Sequence, residues 1–125
     1  MSQGTTLKGV NIMLKVHQIV LTTPQVNQVN MASRNNEPVP EFYPAYLDAT
    51  FGKIEKAQEL GLYNHVADVS TDDLEVGFAV MNRWSEVDEK MVRRHADLHS
   101  MSVGDIVEKE DGSKWLCTSF GFTQI

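Results

Sequence analysis

With a single cysteine, Cys117, the 125-residue chain can make no intrachain disulfide. That fits a reducing compartment, and the expected location is the cytoplasm. No apolar run approaches the ~20 residues needed to span a bilayer. Met1–Val10 has neither the basic start nor the apolar core of a secretory signal, and residues 1–12 read as a loose polar tail ahead of one domain, 13–125. Extended charge runs are also missing. The longest acidic run is Asp72-Asp73, too short for nucleic-acid mimicry, and the basic pairs Lys53/Lys56 and Arg93/Arg94 make no stripe. At a formal charge of −6, the chain lacks the electrostatic footprint of a phosphate-backbone binder. Glycines are scattered, so no phosphate-cradling loop is present.

What the chain does have is an ordinary globular balance, 42% hydrophobic and 22% charged, at a length suited to one domain. Leu14–Leu21 is rich in β-branched residues and reads as a strand. Thr22–Pro40, with three prolines and four asparagines, reads as a long mobile loop, Val26, Val29 and Met31 forming a short edge strand within it. Pro44–Leu60 is expected as the main helix. Proline suits its first turn, Leu47, Phe51, Ile54 and Ala57 make a core stripe, and Gly61 fits the left-handed cap. Leu62–Val69 follows as a strand. Ser70-Thr71-Asp72-Asp73 signals the start of a helix carrying Leu74, Phe78 and Met81, and Ser85 with Asp88 opens another reaching Arg94. Asp111-Gly112 between β-rich runs predicts a hairpin over 103–122. The expected fold is α+β, a mostly antiparallel sheet packed on one main helix.

Few residues invite a chemical reading. His95 and His99 have the i, i+4 spacing that lets two imidazoles share a metal on a helix, with Glu86, Glu89 or His65 as a third ligand. Beside Arg93 and Arg94 they read instead as a solvated cluster, so no metal or cofactor is expected. Cys117 alternates with Trp115 and Ser119 and reads as a small buried residue. Ser100 and Ser102 beside His99 lack the surroundings of a nucleophile. Tyr43, Tyr46 and Trp84 flank polar segments and are the candidate anchors for a protein partner, Trp84 first among them.

The segment His99-Ser100-Met101-Ser102-Val103-Gly104-Asp105-Ile106-Val107, with Ser119-Phe120-Gly121-Phe122 near the end, resembles the YodL-like domain of phage, plasmid and conjugative-element proteins. Upstream, Asp73-Leu74-Glu75 with Phe78, Asn82 and Trp84 is similar to the acidic helix of that family, so the resemblance covers about residues 62 to 125. It implies a non-enzymatic accessory protein that binds a protein of the host cell, in counter-defence or host takeover, within the host cytoplasm. In that segment Gly121 is expected to kink the strand and insert both flanking phenylalanines. The Val103-Gly104-Asp105 turn is also similar to that of PUA- and ASCH-like barrels, which implies the alternative of a nucleic-acid or nucleotide-binding module.

Overall fold

The structure, a computed structural model, describes residues 5–7 and 10–125, with side chains from Ile12 onward. Its elements run β1 (Thr5–Leu7), β2 (Val10–Ile12), β3 (Leu14–Gln18), α1 (Thr23–Arg34), α2 (Phe42–Ala49), α3 (Glu55–Glu59), β4 (Asn64–Val69), α4 (Leu74–Arg83), α5 (Glu86–Lys90), β5 (Val92–Arg94), β6 (Ile106–Glu108), β7 (Lys114–Thr118) and β8 (Gly121–Gln124). β1 and β2 pair antiparallel within the expected tail, of which residues 1–4, 8 and 9 lie outside the described residues. The remaining strands form one antiparallel sheet in the order β5-β4-β3-β6-β7-β8. The α+β class, the antiparallel sheet and the C-terminal hairpin are therefore as the sequence predicts.

One face of the sheet carries the larger core. Leu14 lies opposite Val69 and Val16 opposite Ala67 and Val107, so period-2 alternation stacks these side chains on one side. Val80 and Met81 of α4 join them in a fully enclosed cluster with Val66, Met101 and Cys117. The helix lies so close that a Cβ on Gly77 would stand 2.7 Å from Leu14 Cδ1. Two capping devices aim the chain here. The Asp73 carboxylate accepts from the N–H groups of Glu75 and Val76, and Ser85 and Asp88 form a capping box that opens α5. The Asp88 carboxyl is held well below the usual range by hydrogen bonds from Arg83, with Ser85 adding to them.

The opposite face is covered only in part. Ile106 and Leu116, paired across β6 and β7, meet Ile19, Ala49, Ile54 and Ala57 in a second, smaller cluster roofed by α2 and α3.

Three expectations about the elements are corrected. The expected 22–40 loop holds a 12-residue helix, α1. Thr22 accepts from Gln25 N–H, the Gln25 side chain accepts from Thr22 N–H, and proline occupies the first turn, where its missing N–H costs nothing. The single helix expected over 44–60 is two. Gly52 adopts φ 88°, and Lys53 N–H returns to Asp48 O, which closes α2 before α3 begins. As a result the expected stripe splits: Ile54 and Ala57 are buried, whereas Leu47 is exposed and Phe51 is 81% exposed. The third correction is to the helix opened by Ser85, which ends at Lys90 because Val92–Arg94 pairs with β4 as an edge strand. Asp111-Gly112 does turn β6 into β7, and β8 adds a second hairpin.

Candidate functional site

A register shift in β4 assembles the main polar constellation. Val16 pairs with Ala67, but His17 pairs with His65, so Val66 is an extra residue in the strand. Residues three apart on a regular strand face opposite sides. The bulge instead sends Val66 and Ala67 together into the larger core and leaves His65 and Asp68 on the other face. His95, just beyond β5, is fixed by its N–H to Val66 O at 2.8 Å. Its ring lies 4.6 Å from that of His65.

Asp68 binds both imidazoles. His65 Nε2 is 2.6 Å from Asp68 Oδ1 and His95 Nε2 is 2.7 Å from Oδ2, each Nε2–H donating to the carboxylate. Burial works to raise the Asp68 carboxyl, but the hydrogen bonds from His95 and His65 outweigh it and hold the group below its ordinary value. His17 continues the row, its ring 5.3 Å from His65 and its Nε2 3.3 Å from Glu108 Oε1. Burial lowers its imidazole by more than Glu108 raises it.

His95 and His99 do not come together on a helix. The chain from Ala96 to Val103 has no regular helical turn, and His99 departs toward Gln18. There Gln18 is fully buried; its amide donates to His99 O and to Asp105 Oδ2 and accepts from His99 N–H. Asp105 Oδ2 also accepts from Ser102 N–H at 2.9 Å, and the Tyr63 hydroxyl donates to Gly104 O. Burial pushes the Asp105 carboxyl up to about 6 against the two hydrogen bonds that favour its charge. A cleft of about 200 Å³ opens beside this turn, lined by Tyr46, His99, Gly104 and Asp105 among others. Cys117 is buried, and burial pushes its thiol up to about 11, away from a reactive thiolate.

The three predicted anchors are placed as follows. Tyr43 and Tyr46 stack on α2 with ring centroids 6.3 Å apart, and Tyr46 packs against the smaller core. Trp84 ends α4 in the left-handed conformation, φ 54°, packs against the larger core and lies under the Arg94 guanidinium at 4.8 Å. The ring that stands out is Phe120, 99% exposed on the turn from β7 to β8. The expectation that Gly121 inserts both phenylalanines is corrected: Phe122 meets Phe78 edge-on at 6.4 Å over the core, while Phe120 points away. Gly121 takes φ 119°, and this turn places the two rings differently. The signal for Phe120 was the tight turn itself, since a residue at its tip has nothing to pack on.

Comparison with family models, with curated proteins and with solved structures returns no match. Among the described residues, no helix is long and apolar enough to cross a membrane.

Proposed function

We propose that this chain is a non-enzymatic accessory protein of a phage or mobile element that acts by binding a protein of its host cell. The observation that carries this reading is Phe120, a large apolar ring held almost wholly in solvent by a two-sided hairpin turn. Such a ring loses nothing by leaving water and is the type of side chain that anchors protein interfaces. It lies in the Ser119-Phe120-Gly121-Phe122 segment on which the YodL-like resemblance rests. Trp84, Tyr43 and Tyr46, each half-buried, are the further anchors of the proposal. The alternative, a PUA- or ASCH-like nucleic-acid or nucleotide module, draws its support from the cleft beside Gly104 and Asp105.

The test captures partners from host lysate with native protein and with Phe120→Ala, beside a salt series with labelled duplex DNA and single-stranded RNA. A partner retained by native protein and lost by a folded Phe120→Ala variant is expected. Oligonucleotide binding that weakens steeply with salt overturns the reading in favour of the alternative.

A further inference from the structure

We propose that His65, Asp68 and His95 form a binding site for one divalent transition-metal ion of the zinc type. The three residues each bring a ligand atom to within 4.8 Å of the others. Two imidazoles and a carboxylate are the donor set of many zinc and non-haem iron centres that keep open coordination positions. On an ion with bonds of about 2.0–2.1 Å the ligand atoms stand about 3.3 Å apart, so the widest separation here has to close by roughly 1.5 Å. The imidazoles have the freedom to do so, because their side chains are 37% and 34% exposed, whereas the carboxylate between them is held at 12%. Metal binding exchanges two Nε2–H···O bonds for two Nε2–metal bonds and one carboxylate–metal bond, each ring losing its Nε2 proton to solvent and taking one up at Nδ1, so that both imidazoles stay neutral.

The charge around the site selects the kind of ion. With both rings neutral, the triad carries a single negative charge from Asp68. Lys15 and Arg93 stand opposite Asp68 on the two neighbouring strands, and His17 and Glu108 extend the row beyond His65. Two nearby cations disfavour ions held by carboxylate charge alone, such as Mg²⁺ and Ca²⁺, which take oxygen ligands. An ion bound through imidazole nitrogen suffers less from them. The site would also have a mechanical effect. His65 is the second residue of β4 and His95 follows the short edge strand β5, so the ion would fasten the sheet edge beside the bond from His95 N–H to Val66 O. This inference is independent of the protein-binding reading, because Phe120 lies at the far edge strand.

The experiment titrates untagged full-length protein with Zn²⁺ against a chromophoric chelator, and repeats it with Co²⁺ followed by visible absorption. One equivalent of Zn²⁺ is expected, with affinity reduced at least about tenfold in each of His65→Ala, His95→Ala and Asp68→Asn and unchanged in His99→Ala. Mg²⁺ and Ca²⁺ should not compete. Should Asp68→Asn fail to fold, the two histidine variants, at partly exposed positions, carry the test. The absence of stoichiometric Zn²⁺ binding, or its retention in both histidine variants, overturns the proposal.

Discussion

Asp68 and Asp105 are both buried, 9% and 4% exposed, yet their surroundings shift them in opposite directions. Asp68 sits on the open part of the sheet face and is met by two ring nitrogens, which hold it ionised. Asp105 sits in an enclosed turn and is met by one amide and one backbone N–H, which do not offset the loss of water. Burial alone therefore does not decide the state of a carboxyl; with two donors on each, the charge capacity of the donors does.

The sharpest way to break this comparison is at Gly104. It adopts φ 97°, and a Cβ there would stand 2.1 Å from Ala49 O, a backbone atom of α2 with little freedom to retreat. Strain and overlap together should cost Gly104→Ala about 3–5 kcal/mol, measured by urea unfolding. A loss below about 1 kcal/mol would show that the turn is looser than the contact implies.

The next effect is smaller and depends on pH. Because the folded-state value of Asp105 is raised, its stabilising contribution is complete below the ordinary carboxylate range and is lost as pH rises through about 6. Acidifying from pH 7 to pH 5 should thus stabilise native protein by about 1 kcal/mol through this group, and Asp105→Asn should lack that increment. Equal slopes for the two proteins over this interval would remove the contrast with Asp68.

The smallest effect marks where the enclosure stops. Phe51, two residues beyond the Ala49 carbonyl that faces Gly104, is largely in solvent. Phe51→Ala should change stability by no more than about 0.5 kcal/mol, as surface substitutions do. A cost of several kcal/mol in thermal or urea unfolding would place the ring in the core.

What was legible in the sequence was whatever depends on neighbours along the chain. The strand from Leu14, the Ser70–Asp73 helix start (capped by Asp73 and not by a hydroxyl), the Ser85 cap and the Asp111-Gly112 turn each declare themselves within a few residues. α1 did not, because it buries only Val29 and so lacks the periodic apolar stripe that marks a helix. The break between α2 and α3 was hidden because Leu47, Phe51 and Ile54 keep helical spacing across Gly52, although two of the three are exposed. The histidine constellation was out of reach for a different reason. Its members come from β4 and from beyond β5, and they share a face only because Val66 is an extra residue in the ladder. His65 was weighed as a partner for His95, but Asp68, which joins them, has no local signature.

The shortness of β5 bears on how this protein behaves at high concentration. A sheet's outermost strand exposes backbone groups that can template pairing with another chain, and long, flat, uncharged edges invite fibre growth. Here that rim is three residues long, two of them arginines, and beyond it the His95 N–H to Val66 O bond continues the pairing. A second molecule approaching this rim would find almost no ladder to extend and an arginine on each face of the strand, so the edge is a poor template for pairing.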